Sequence, residues 1–340
     1  NPNYKTNQNW YNMKKIFTTL TVALAALTSV SFAQQDPQFT QFMHSKLIYN
    51  PGYAGTSDAI CTNVLYRQQW VNFPGAPTTG LLSFDMPLGR TPIGIGLNVM
   101  QDKIGFDKTL FARLAVSYVA RNVFGGAGNL GIGVDGGVLQ KSFDGNWITP
   151  DGNGVVDNTI PGYTSGTGTL TATNAGLNKL TYDLGFGIFY TIANKMYVGL
   201  SSTHLTAQDL KAAGNVKYSL ARHYYLVAGY TFNVGAKHGI IPNVKVKSDA
   251  ASTQLDLNLT YMYNNTFWVG VSYRMQDAIA PMLGAKFLKD KSLKVGYSYD
   301  LTTSKIKGYS SGTHEIMLGY CFNVKKPIKV TSYGNTRFLD

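Results

Sequence analysis

The chain has 340 residues, a formal net charge of +12, 44% hydrophobic and only 14% charged residues, where soluble domains carry about 25% charged. Two cysteines exclude a disulfide-framework domain, and no later window approaches the roughly 18 uninterrupted apolar residues of a helical membrane span. The basic balance suits anionic lipid headgroups or acidic polymers. Without aromatic and basic residues interleaved on one surface, nucleic acid is not an expected partner.

In chain order, residues 1–12 are polar and patternless and read as an upstream flank. Residues 13–33 read as a secretory signal peptide: Lys14 and Lys15 form the basic start, Ile16 to Val30 the apolar centre, and Ser31-Phe32-Ala33 the small-residue cleavage site. The run is too short and too rich in Thr for a membrane anchor. Cleavage after Ala33 would remove Lys5, Lys14 and Lys15, taking the net charge from +12 to +9. Residues 34–57 precede the first strand, and their Asn-Pro-Gly cannot extend a sheet, so they are expected to form a periplasmic or inward-folded plug segment.

From 58 to 324 one pattern recurs, with apolar residues at every second position. Leu180, Tyr182, Leu184, Phe186, Ile188 and Tyr190 oppose Asp183, Gly185 and Gly187; Phe267, Val269, Val271 and Tyr273 oppose Trp268, Gly270 and Ser272. This is strand periodicity. It predicts fourteen strands near 58–70, 78–87, 92–101, 109–121, 128–140, 179–191, 195–203, 221–233, 239–247, 252–262, 266–274, 279–287, 292–301 and 313–323. A soluble sandwich also alternates, but three features favour a membrane barrel. The strands are long, aromatics end the apolar faces, and the opposite face is rich in Gly and small polar residues. The connections alternate as well, tight at 87–91, 192–194, 264–265 and 289–291, and generally longer at 71–77, 102–108, 141–178, 204–220 and 302–312. Short periplasmic turns, longer extracellular loops and an even strand number mark outer-membrane barrels. The fold class is therefore all-β, a transmembrane antiparallel barrel of about fourteen strands with both termini on the short-turn side. Residues 325–340 would then hang as a basic tail in the periplasm.

Residues 34–56, QQDPQFTQFMHSKLIYNPGYAGT, combine an Asp-Pro-x-Phe start with an Asn-Pro-Gly-Tyr-Ala-Gly element. With RQQW at 67–70, SYR at 272–274, GYSYD at 296–300 and SGTHEIMLGYCF at 311–322, the chain resembles the PorP/SprF family of type IX secretion membrane proteins. The resemblance implies an outer-membrane barrel of Bacteroidota that works with the type IX secretion system. Some members belong to its core, beside periplasmic ring components. Others are paired with one large secreted adhesin, including adhesins of gliding motility, which they export or hold on the surface. It implies no catalytic site.

No enzyme constellation is legible, and no cofactor motif. His44, His204, His223, His238 and His314 are scattered, and His314-Glu315 lacks the second His of a zinc helix. Asp151, Asn153 and Asp157 superficially resemble a calcium loop but lack its bidentate Glu, and the stretch reads first as a Gly/Asn-rich loop. Arg67, Arg113, Asp135, Asp183, Asp256, Arg274, Asp300 and Glu315 all fall on the lumen register, either as an ion-paired filling or as the lining of a selective pore. Cys61 and Cys321 also fall on it, near the periplasmic ends of the first and last strands. They read either as a pair across the closing seam or as two unrelated small residues. The loop 141–178, with Trp147, Ile148, Val155, Val156, Ile160 and Tyr163, is either a partner-binding surface or disordered.

Overall fold

Alternation of apolar and small or polar residues produces long antiparallel strands in a computed structural model that describes residues 36–89, 91–126, 128–143, 147–148, 169–170, 177–207, 209–211, 217–288 and 291–323. The signal-peptide and tail expectations lie outside these residues, as do Asp151, Asn153, Asp157, Val155, Val156, Ile160 and Tyr163. Fourteen strands form the wall: β1 (Ala59–Gln68), β2 (Thr78–Pro87), β3 (Ile93–Ile104), β4 (Asp107–Asn122), β5 (Gly128–Phe143), β6 (Leu177–Ile192) and β7 (Met196–Thr203), followed by β8 (His223–Tyr230), β9 (His238–Ser248), β10 (Thr253–Tyr263), β11 (Phe267–Arg274), β12 (Ala278–Phe287), β13 (Leu293–Thr302) and β14 (Thr313–Asn323). Past Thr231, Phe232–Val234 continues β8 along β9. Each strand pairs antiparallel with the next. β14 returns to β1 with Arg67 opposite Glu315 and Cys61 opposite Cys321, so the sheet closes and leaves no edge.

The two faces of the wall meet different surroundings. Val64, Tyr66, Leu257, Leu259, Ile316 and Leu318 point outward and are exposed, while Leu65, Arg67, Asn258, Glu315 and Met317 point inward and are buried. Outward apolar side chains flanked by aromatics such as Tyr118, Phe267 and Phe322 make the lipid-facing band of an outer-membrane barrel.

One expected loop is corrected. Residues 102–108 are not a long connection: β3 runs to Ile104, β4 starts at Asp107, and Gly105-Phe106 alone turns the chain. Gly105 has a φ of +59°, which a two-residue hairpin turn of this hand requires and glycine adopts without steric cost. Two short ladders lie outside the wall, Trp147–Ile148 with Thr169–Leu170 and Asp209–Lys211 with Lys217–Ser219.

Residues 36–56 lie inside the barrel. Their start lies at the end of the barrel opposite the one where β1 begins. Asp36 contacts His204 and Tyr225, and Gln38 contacts Gln254, all at the long-loop ends of strands. The segment descends from there. Asn129 at the opposite end donates to the Thr56 carbonyl at 3.1 Å, and β1 then begins on the short-turn side. The start of the segment is drawn to the long-loop end because Asp36 finds its polar partners only there.

Candidate functional site

The plug is built from three single turns of 3-10 helix, Phe42–His44, Lys46–Ile48 and Pro51–Tyr53. Short turns leave many backbone groups unpaired, and wall side chains satisfy several of them. Asn98 donates to the Leu47 carbonyl at 3.2 Å and Ser201 to the Tyr49 carbonyl at 2.6 Å. The Asn50 side chain accepts from Gly52 N at 2.9 Å and donates to the carbonyls of Ile188 and Leu200 at 3.0 and 3.1 Å. A Cβ on Gly52 would stand 2.8 Å from the carbonyl oxygens of Gly131 and Gly187. The Asn-Pro-Gly element is thus a close backbone docking against β5 and β6.

Apolar packing holds the same segment. Phe39, Phe42, Met43, Ile48 and Tyr49 cluster with inward-facing Leu65, Met100, Phe111, Leu139, Trp268 and Met317. These wall residues sit on the lumen register. The signal was present in the sequence: within their own strands Trp268 alternates with Gly270 and Ser272, and Met317 with Glu315 and Gly319, so a large apolar residue on a small or polar stretch marks where the lumen is filled.

The lumen-register charges gather in two groups. In the first, Arg67 bridges Asp300 at 2.7 Å and Glu315 at 3.0 Å. Glu315 accepts from the backbone N–H groups of Thr40 and Gln41, both at 2.8 Å, and the Thr40 hydroxyl donates to Asp300 at 2.7 Å. Arg274 stands 3.1 Å from Asp300 and 3.5 Å from Asp256, and Lys245 2.7 Å from Asp256. All these side chains are buried, so their attraction is little screened and offsets a large desolvation cost only while every partner is present.

The second group lies at the long-loop end. Arg113 stands 3.8 Å from Asp135 and 3.7 Å from Asp183, and Asp183 stands 2.9 Å from His204 Nδ1. His204 Nε2 is 2.9 Å from Asp36 Oδ1, and the Tyr225 hydroxyl donates to Asp36 Oδ2 at 2.7 Å. Burial disfavours charge on His204, but the Asp36 and Asp183 carboxylates outweigh it and hold its pKa up at about 10. His204 and His223 are far from Asp36 in the sequence, and no spacing or motif connects the three. Their donor atoms nonetheless lie within 4.8 Å of one another, a set that could hold a metal ion.

Cys61 and Cys321 face each other across the closing seam with Cα atoms 4.1 Å apart, joined as a disulfide. Trp147 and Ile148 belong to a two-residue ladder of the β5–β6 connection. Of the eight charged residues, Arg67, Arg274, Asp300 and Glu315 touch the plug directly, Asp183 reaches it through His204, and the two cysteines meet at the seam.

Comparison with known proteins adds the following. The family model described as "Type IX secretion system membrane protein PorP/SprF" matches residues 31–320. No curated protein matches the chain. Among solved structures, a TodX deltaS2S3 mutant monoaromatic hydrocarbon channel is 14% identical, covers 82% of this chain and 94% of that one, and has a TM-score of 0.48. The Pseudomonas putida toluene transporter TodX is 13% identical over 82% and 93%, with a TM-score of 0.46. The Acinetobacter baumannii outer membrane protein Omp33 is 9% identical over 79% and 100%, with a TM-score of 0.39.

Proposed function

The chain belongs to the PorP/SprF family of type IX secretion system membrane proteins, and from that premise we propose that it is a non-enzymatic accessory of type IX secretion that helps export one secreted partner or holds it at the cell surface. The partner class is a large adhesin of the gliding type. The barrel itself is an outer-membrane protein. Secretion components would be met at its short-turn end in the periplasm and the secreted partner at its long-loop end, where the β5–β6 connection offers Trp147, Ile148, Val155, Ile160 and Tyr163. The signal peptide of residues 13–33 would deliver it.

The filled lumen carries this reading. A plug tied to the wall by Glu315, Asp300, Asn50 and an apolar cluster supports a rigid receptor rather than an open pore. Arg67, Asp300 and Glu315, the most closely paired buried charges, bind the plug, which also supports a non-catalytic role. Planar-bilayer recording on the purified protein tests it. The bilayer should stay electrically silent, and steady open conductance with solute selectivity would favour a channel for small solutes instead.

A further inference from the structure

At the long-loop end, Asp36 opens the plug, His204 follows β7 and His223 begins β8. Asp36 presents one carboxylate oxygen to each histidine, Oδ1 at 2.9 Å from His204 Nε2 and Oδ2 at 3.9 Å from His223 Nδ1. Donors sharing one ion at about 2.1 Å stand roughly 3 to 4 Å apart, so little movement would bring all three onto a single centre. Asp36, His204 and His223 line a cavity of about 150 Å³ together with Asp102, Asp107 and Lys141. Liquid water takes roughly 30 Å³ per molecule, which leaves room for an ion with one or more waters completing its shell.

A second observation points to a ligand independently of that clustering. His223 is 3% exposed, yet among the described residues neither ring nitrogen has a hydrogen-bond partner. A buried polar group left so is costly unless a further partner satisfies it. The surroundings are also built as metal sites are. His204 Nδ1 faces Asp183 Oδ2 at 2.9 Å, a carboxylate placed behind the ring where it fixes the tautomer of a metal-bound histidine. The Arg113 guanidinium in turn stands 3.7 Å from Asp183. Asp36 is steadied by the Tyr225 hydroxyl, and its carbonyl by Lys247 Nζ at 3.0 Å.

We propose that Asp36, His204 and His223 bind a single divalent cation of the zinc class, which ties the start of the plug to the long-loop ends of β7 and β8. Two imidazoles with one carboxylate suit such ions, whereas calcium and magnesium take oxygen ligands. The ion takes the place of the proton that His204 Nε2 presents to Asp36, and that proton leaves to solvent through the cavity. The lumen network then becomes a fastening with a removable pin.

The test uses the untagged protein, folded in detergent and stripped with a chelator. Titration with Zn²⁺ should give one equivalent per chain, Co²⁺ should give the visible spectrum of a bound nitrogen/oxygen site, and Ca²⁺ and Mg²⁺ should not compete. His223→Ala and Asp36→Asn should abolish stoichiometric binding. Asp183→Asn should keep one equivalent but weaken it about 10- to 100-fold, as loss of a partner behind a ligand does. Zn²⁺ should also slow backbone hydrogen exchange in residues 36–41 of the wild type and leave His223→Ala unchanged. Should His223→Ala not fold, His223→Gln takes its place, and the wild-type Co²⁺ spectrum and exchange data stand by themselves. Absence of one-equivalent Zn²⁺ binding to the wild type overturns the proposal. Undiminished binding in a folded His223 variant overturns it equally.

Discussion

Arg67 is held by two carboxylates, Asp300 and Glu315, in a site that water does not reach. Removing it leaves Glu315 buried with only the plug's N–H groups, while Asp300 keeps Arg274. Loss of one partner from such a set costs about 3–5 kcal/mol. Arg67→Ala should therefore lower the denaturant midpoint of the detergent-folded barrel by a corresponding amount, and a loss below about 1 kcal/mol would mean that the pairs are weakly coupled. Gly52 makes a steric prediction instead. Gly52→Val would push against the Gly131 and Gly187 carbonyls, so proteolysis should newly cut within residues 36–56 while the wall stays resistant. At this scale the inward register of the eight charges was legible from alternation, and so was that of both cysteines. The partners Thr40, Gln41 and Asp36 were not, because nothing in a strand pattern says which loop residues will be folded into the lumen.

Strand register decides which face each substitution meets. Leu259 lies near the middle of β10 with its side chain exposed to lipid. Leu259→Lys should destabilise the barrel by about 2–4 kcal/mol, as a charge at the bilayer midplane does. An equal cost for a Lys at a strand end would argue against the placement of the band. The β1–β14 seam adds a covalent element: the Cys61–Cys321 bond spans 260 residues. A disulfide restricts the unfolded chain, typically by about 2–4 kcal/mol. The Cys61→Ser, Cys321→Ser double variant should thus unfold at lower denaturant, and unchanged unfolding under reducing conditions would contradict this. Strands were readable because burial on one side only forces a period of two. The Gly105-Phe106 turn was misread as a loop because Ile104 and Asp107 break the apolar alternation without breaking the backbone ladder.

For the whole molecule, closure and filling are separate achievements. Closure follows from fourteen alternating segments, and the even count and the alternation of connections made it visible in the sequence. Filling depends on residues 36–56, whose Asn-Pro-Gly argued that they do not extend the sheet and so form a periplasmic or inward-folded plug segment, without saying how they would lie. Their descent from the long-loop end follows from the pull of His204 and Tyr225 on Asp36, a tertiary fact with no local signature. A lumen holding a plug tied to the wall at many points is what supports the proposed role as a receptor for a secreted partner. The most direct measurement of that claim is quantitative proteomics of the cell surface and medium after deletion of this gene, with complementation by the wild type. One large type IX cargo protein should disappear from the surface and return on complementation, with solute uptake unaltered. An unchanged surface and secreted proteome together with a lost solute uptake would contradict the account.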